Sequence, residues 1–405
     1  MEILGIEASI RASGRKKKVM DMIQSSNGLA EITDSVYEFA SEGNLANSEG
    51  MLMAALGGAM AAGAKVDMVY LSEDFKKIKG SAASSPDTLV KTLKNSSGLI
   101  FSTPVYFGDR SSFVESLFTF VTESFQDPYP LQDKTVGLLS VGAKRNGGQE
   151  TTNIFSLYDS QSLGACVVGN GPPTSQYGGT GWAGDISRIL DDDWGLKTAF
   201  GVGRRVAQIS SIRNLDMASL PKLKLKFGLP QFQAKDNLIG RFKELIEAAG
   251  HEAEVVKVYK RKIKRCRACP ICPNPKAKGD YYRCIVRDAM YDLMDQLRDL
   301  DGLIVTAELG HAFDGMKSYQ LFMERTRCVR RNHFQWSNLP VGLAVSEAPH
   351  TNSIFTLRAL SSYLRHNVFL VGPFYQSLVF GGQRAENIPL AGYVDRLVAA
   401  ARQAK

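Results

Sequence analysis

Short apolar runs alternate along this chain with longer amphipathic stretches, the pattern of a parallel sheet covered on both faces by helices. In the first half the strand-like runs fall at 3–8, 66–71, 98–102, 135–140 and 165–169. The same rhythm returns at 222–227, 252–258, 302–306, 341–345 and 367–372. Two segments expose a repetition. Ala55-Leu-Gly-Gly-Ala-Met-Ala-Ala-Gly-Ala-Lys-Val-Asp-Met-Val-Tyr and Glu244-Leu-Ile-Glu-Ala-Ala-Gly-His-Glu-Ala-Glu-Val-Val-Lys-Val-Tyr each read as a helix, a glycine stop and a strand. The pattern predicts an α/β chain of two tandem doubly wound parallel five-stranded sheets, an internal pseudo-dimer. The domains are expected at 1–213 and 222–405, with a linker at 214–221 after a helix over 195–212. The most apolar stretch, 50–64, falls short of the roughly 18 residues a membrane span needs and predicts a buried helix.

At 405 residues the chain exceeds one ordinary core, and its 44% apolar and 22% charged content is average for a folded globular protein. The N-terminus enters a strand at once, without a basic segment, an apolar core or a cleavage site, so a cytoplasmic protein is expected. The net charge of +8 is spread along the chain except at 257–267, Lys-Val-Tyr-Lys-Arg-Lys-Ile-Lys-Arg-Cys-Arg. That run reads as a solvated strand end or as a docking patch for an acidic protein or anionic substrate. It has no accompanying aromatic stacking motif or recognition helix, which sets nucleic acid aside.

In open parallel sheets ligands bind beyond the carboxyl ends of the strands. After the first strand comes Ala8-Ser9-Ile10-Arg11, and Asn47-Ser48 opens a helix after an insertion at 12–46 that carries Arg15-Lys-Lys-Lys18. Hydroxyls, a guanidinium and free N–H groups at a helix start suit a phosphate. After the third strand, Ser102-Thr-Pro-Val-Tyr-Phe-Gly-Asp109 combines a rigid turn with aromatic faces for a flat ring. After the fourth, Gly142-Ala-Lys-Arg-Asn-Gly-Gly-Gln-Glu-Thr-Thr152 lets backbone N–H groups approach a ring edge.

Of six cysteines, Cys166 and Cys328 stand alone and four form Cys266-x2-Cys269-x2-Cys272-x11-Cys284. With no export signal this cluster points to metal rather than disulfides. Three cysteines at successive spacings of three suit a cuboidal 4Fe-4S cluster, with Cys284 as fourth ligand and Cys328 in reserve. Zinc, which usually takes two separated pairs, is the alternative. The second half lacks the other half's loops: it has Gly228-Leu-Pro-Gln231, Ala307-Glu-Leu-Gly-His-Ala-Phe313 and Ser346-Glu-Ala-Pro-His-Thr351 in their places. The five histidines form no ligand spacing, although His311 and His350 sit in these loops.

The three loops of the first half resemble those of the flavodoxin-like NAD(P)H-dependent FMN reductases, including the iron-sulfur flavoproteins and related NAD(P)H:quinone oxidoreductases. The family patterns are G-S-x-R with N-T or N-S, then S-P-V-Y-F-G, then G-G-Q-E-T-T. The glycine-rich Gln176-Tyr-Gly-Gly-Thr-Gly-Trp-Ala-Gly-Asp185 and the cysteine motif are similar to family features as well. This chain departs at Ala8, at Thr103 and in the long insertion. The resemblance implies a tandem flavodoxin-like fusion with FMN in the first domain, its phosphate on Ser9, Arg11, Asn47 and Ser48. The flavin ring is then expected against Pro104, Val105, Tyr106, Phe107 and Gly108, and against Gly147, Gly148, Gln149 and Glu150. Tyr177 is a further cofactor-binding candidate; Tyr106, Tyr177 and Trp182 are candidates to line a substrate space, and no catalytic acid stands out. The implied protein is an iron-sulfur flavoprotein oxidoreductase passing electrons between a cluster on Cys266, Cys269, Cys272 and Cys284 and the FMN to reduce a small-molecule substrate. Ferredoxin or another electron donor, NAD(P)H, and a second copy of the chain are the implied partners. Alternatives are a quinone-type reductase with structural zinc and a non-catalytic electron carrier or redox sensor.

Overall fold

Ile3, Leu4 and Ile6 are wholly buried in β1 (Glu2–Glu7), as residues of a strand covered on both faces must be. The computed structural model describes residues 1–12, 14–41, 45–80, 86–184, 188–269, 271–272, 284–309, 314–330, 334–347, 354–380 and 383–405. The chain divides into two units, Met1–Asn214 and Leu215–Lys405. After β1 the first unit continues with α1 (Lys16–Gln24), α2 (Leu29–Ser41), α3 (Asn47–Ala61), β2 (Lys65–Tyr70), α4 (Leu71–Gly80), α5 (Pro86–Asn95) and β3 (Gly98–Pro104). Next come α6 (Ser112–Phe125), β4 (Thr135–Gly142), α7 (Gln149–Ser162), β5 (Cys166–Val167), β6 (Gly179–Trp182) and α8 (Asp193–Arg213). Within this unit the strand order is β2-β1-β3-β4-β5, all parallel, the doubly wound order of a flavodoxin-like fold.

The expected fifth strand at 165–169 is only two residues long, and pairing with β4 resumes at β6, Leu139 to Gly142 opposite Gly179 to Trp182. The glycines of β6 carry no apolar signal, so the sequence does not mark it as a strand. They are there for want of space: a Cβ on Gly179 would stand 2.5 Å from the Leu139 Cδ2, and one on Gly181 2.7 Å from the Ile189 Cδ1.

The 50–64 stretch is α3, buried on almost every side because sheet, α2 and α8 surround it. Its contact with α8 is backbone to backbone. A Cβ on Gly58 would lie 2.0 Å from the Phe200 carbonyl oxygen, and one on Gly203 only 1.6 Å from that of Ala55. The insertion supplies α1 and α2, and Ile32 of α2 fills the space that a side chain on Gly57 would take.

The second unit contains β7 (Lys226–Gln231), α9 (Asn237–Ala248), β8 (Glu252–Lys257), α10 (Met290–Gln296), β9 (Gly302–Leu309), α11 (Asp314–Arg325) and α12 (Arg327–Arg330). They are followed by β10 (Pro340–Glu347), α13 (Phe355–Leu364), β11 (Phe369–Leu370), β12 (Tyr375–Phe380), β13 (Gln383–Glu386) and α14 (Leu390–Gln403). Its strands run β8-β7-β9-β10-β11 in parallel, with β12 parallel to β10 and β13 antiparallel to β12. The duplication is therefore structural, and its two glycine stops, Gly63 and Gly250, share a left-handed φ of 83° and 84°. The first strand begins at Lys226 rather than Lys222. The Lys-Leu alternation mimics a half-buried strand, but Leu223 is 42% exposed and the buried run starts at Phe227.

Arg325, at the end of α11, anchors the chain on both sides of the cysteine segment. Its guanidinium donates to the carbonyls of Lys264 (2.8 Å) and Val286 (2.7 Å) and pairs with Asp288 at 2.7 Å, both side chains buried. Among the described residues no helix is long and apolar enough to cross a membrane.

Two stability measurements test these contacts. Gly203→Ala is expected to destabilise the first unit by about 1–3 kcal/mol in chemical denaturation, outweighing the gain of up to about 1 kcal/mol in helix propensity. Arg325→Leu should cost the second unit about 3–5 kcal/mol by leaving Asp288 uncompensated, and adding Asp288→Leu should recover most of the loss.

Candidate functional site

The loops after β1, β3 and β4 meet at the carboxyl end of the first unit's sheet around a cavity of about 280 Å³. Of the expected cofactor residues, Ser9, Arg11, Asn47, Ser48, Pro104, Val105 and Tyr106 line it, with Ala46, Gly142, Ala143 and Gly184 among the rest. The start of α3 forms one wall. Its N-cap position is Ala46, which makes no side-chain capping bond, so the first-turn N–H groups and the helix dipole face the cavity as an anion site would require. Arg11 is exposed beside it.

Beneath this wall lie two carboxyl groups that the pattern of the sequence did not single out. Glu7, the last residue of β1, is wholly buried. Its Oε1 accepts the Ser9 N–H at 2.9 Å and the Ser48 hydroxyl at 2.6 Å, and its Oε2 has no partner. Burial, reinforced by Glu49, pushes the Glu7 carboxyl up to about 8 against the pull of these two hydrogen bonds. Glu49 accepts from the Tyr70 hydroxyl at 2.6 Å and pairs with Arg15 at 3.2 Å, and burial raises its pKa too. The Ser48 hydroxyl, expected on a phosphate, is thus already donated to Glu7. Asn47 accepts from the Ile189 N–H at 3.0 Å. A strand-end glutamate gives no periodic signal, and only its burial marks it.

The loops after β3 and β4 close on each other. Tyr106 and Asp109 exchange backbone hydrogen bonds across Phe107 and Gly108, which both have positive φ, 54° and 81°. This tight turn holds Tyr106 half in solvent and Phe107 entirely so. Gly148, at φ 101°, packs so closely that its Cβ would lie 2.6 Å from the Gly108 Cα. Gln149 turns inward, bonding the Gly147 N–H at 2.8 Å and the carbonyls of Lys144 (2.6 Å) and Gly181 (2.9 Å). Its side chain shapes the loop. Gly148, Gln149 and Glu150 line a neighbouring cavity of about 270 Å³ with Gln176 and Trp194, while Tyr177 is half-buried and borders neither cavity. Trp182 lies under the Arg145 guanidinium, and Asp192 joins Arg145, the Trp182 N–H and the Gly195 N–H at the start of α8.

At the corresponding place in the second unit, the helix start is already filled. Asp236 caps α9 through the Ile239 N–H, accepts from Thr306 at 2.8 Å, and is pushed up to about 6 mainly by burial. Glu308 accepts from the backbone and side chain of Asn237. The nearby cavity, between Phe232, Met316 and Phe355, holds only about 10 Å³. A phosphate would meet two carboxylates here instead of free N–H groups. The remainder of this region, including His311 and His350, lies outside the described residues, as do His333 and Asp185.

The cysteines fall after β8. Cys266 and Cys269 are half-exposed, whereas Cys272, Cys284 and Cys328 are buried. The Cys266 sulfur accepts the Ala268 N–H at 3.4 Å, with Ala268 left-handed at φ 51°, and the Cys284 sulfur accepts the Val286 N–H at 3.5 Å. Such N–H···S turns suit thiolates that bind metal. Burial first, then the neighbouring Cys272 and Cys284, push the Cys328 thiol up to about 12. Among the described residues no three His, Cys, Asp or Glu side chains are gathered closely enough to hold an ion. Residues 273–283, which lead to Cys284, lie outside the described residues. The donor chemistry of the motif, thiols in a run of x2 spacings, fits a cluster or zinc.

The sequence model for NADPH-dependent FMN reductases matches residues 1–176. An iron-sulfur flavoprotein of Methanocaldococcus jannaschii is 38% identical over 125 residues, 30% of this chain and 63% of that protein. The chain thus spans less than two thirds of that relative's length. An iron-sulfur flavoprotein of Methanosarcina thermophila is 28% identical over 175 residues, 40% of this chain and 87% of that protein. Matched solved structures include a flavone reductase (19% identity, TM-score 0.35, 52% of this chain and 63% of that one) and a WrbA-like flavodoxin from Agrobacterium tumefaciens (15%, 0.34, 53% and 99%). The three loops assemble on a sheet whose sequence matches the NADPH-dependent FMN reductase model across them, and this part of the chain is similar to the iron-sulfur flavoproteins.

Proposed function

We propose that the chain is an FMN-dependent oxidoreductase whose first unit holds the flavin and whose second carries a 4Fe-4S cluster on Cys266, Cys269, Cys272 and Cys284. The observation that carries the reading is the convergence of three loops on one cavity with an uncapped helix start in its wall. The phosphate would sit against the N–H groups of Asn47 and Ser48 and the Arg11 guanidinium. The ring would lie against Pro104 to Gly108 and the glycines of the next loop, under Tyr106. FMN supplies two-electron and one-electron chemistry at its ring. The residues around it bind and orient it, and the close Gly108–Gly148 contact fixes the edge available to substrate.

Electrons are exchanged between the cluster and the flavin in this proposal, and a small-molecule substrate is reduced at the flavin face. The names of the matched relatives support the pairing of flavin and cluster. The carboxylates at the start of α9 support a single flavin per chain.

Anaerobically purified protein should show a flavin envelope with a broad cluster shoulder, about one FMN and about four irons per chain. Zinc without iron would overturn the cluster, and absence of flavin would overturn the FMN site. Cys269→Ser is expected to lose iron and keep flavin. Gly148→Ala should do the reverse, weakening FMN binding at least ~10-fold through clash and backbone strain while iron content holds. Stopped-flow reduction by NAD(P)H compared with reduced ferredoxin identifies the donor.

A further inference from the structure

Glu7 occupies a position that the flavin reading does not explain. A phosphate bound at the start of α3 would be separated from this carboxyl by one layer of protein, the Ser9 and Ser48 residues that line the cavity on one side and donate to Glu7 Oε1 on the other. Among the described residues no cation offsets Glu7 directly. Arg15, reaching in from the start of α1, is committed to Glu49. The other groups facing Glu7 are Glu49 and Ser48 from α3, Tyr70 opposite it on β2, and Ser102 opposite it on β3, whose hydroxyl is donated to the Ser48 carbonyl at 2.7 Å. Arg11 is exposed on the cavity side. Oε2 is buried without a partner, an arrangement tolerable for a neutral acid and costly for an anion.

We propose that Glu7 is a proton-linked positioning residue for the flavin phosphate: its neutral carboxyl fixes Ser9 and Ser48 beneath the phosphate, and its ionisation drives the phosphate out. The proposal rests on the FMN reading of this cavity. A phosphate monoester is a dianion above about pH 7, so it brings negative charge towards a carboxyl that already has Glu49 beside it. The cheaper bound state keeps the proton on Glu7.

The direction of the pH dependence follows. In the empty site Glu7 titrates at about 8, raised chiefly by burial, so below that pH the site is already in its binding form. Above it, FMN must bring a proton with it, and affinity falls by up to about tenfold per pH unit until the pKa of the complex is passed. Riboflavin, which lacks the phosphate, escapes the repulsion. A Glu7 that merely braced the loop would affect both ligands alike and would impose no pH profile.

The test is titration of flavin fluorescence with the full-length apoprotein between about pH 7 and about pH 9.5, with FMN and with riboflavin. FMN affinity should fall ~10-fold or more across this range and riboflavin affinity should change little. Glu7→Gln, whose amide oxygen can accept from Ser9 and Ser48 as the neutral acid does, should bind FMN with a flat profile. The wild-type comparison of the two ligands decides the matter even where the variant does not fold. FMN affinity that is flat in the wild type, equal slopes for FMN and riboflavin, or an unchanged slope in Glu7→Gln would overturn the role of Glu7 and leave the FMN site standing. Failure of both ligands to bind at every pH would overturn the flavin reading and this inference together.

Discussion

The backbone contact between α3 and α8 sets the geometry on which the first unit depends. Gly58 lies against the Phe200 carbonyl and Gly203 against that of Ala55, so the two helices meet without side chains between them. A helix held this closely and buried on nearly every face has little freedom to tilt or slide. Its start is therefore fixed at the end of β1, and the first-turn N–H groups that would take a phosphate are placed by packing far from the site itself.

The same placement pushes Glu49 and Ser48 inward, against Glu7 and Tyr70. Two carboxyl groups, only one of them paired with an arginine, are an expensive element to bury. Their cost is accepted where they underlie the loop that meets the ligand, and strained or uncompensated groups tend to collect at such places. The second unit shows what the scaffold does otherwise. There Asp236 and Glu308 occupy the helix start, and an anion site becomes a self-satisfied cap. Electrostatics, with the same strand order, divides the two copies.

Much of this was legible beforehand. The alternation of strands and helices, the repeated helix-glycine-strand segment and the buried 50–64 helix all appear as read, because each rests on a periodicity or a turn residue that acts locally. The three loops were legible for a related reason: in a parallel sheet the strand ends converge wherever the chain goes next. The losses occurred where local signal and burial part. The Lys222 to Lys224 alternation carries a strand period over an exposed segment, and β6 is a strand half made of glycine. Gln149 reads as a ligand and is spent on backbone groups of its own loop.

Spacing along the chain is enough to give the class of fold, the duplication, the three loops at the strand ends and the thiol motif. Folding in three dimensions set which side of each loop residue meets the cavity, that Ser48 serves Glu7, and that the glycines at 58, 148 and 203 are demanded by other parts of the backbone. Those are contacts between residues far apart in sequence. A carboxyl's charge, likewise, is set by the burial and neighbours that folding gives it rather than by its place in the chain.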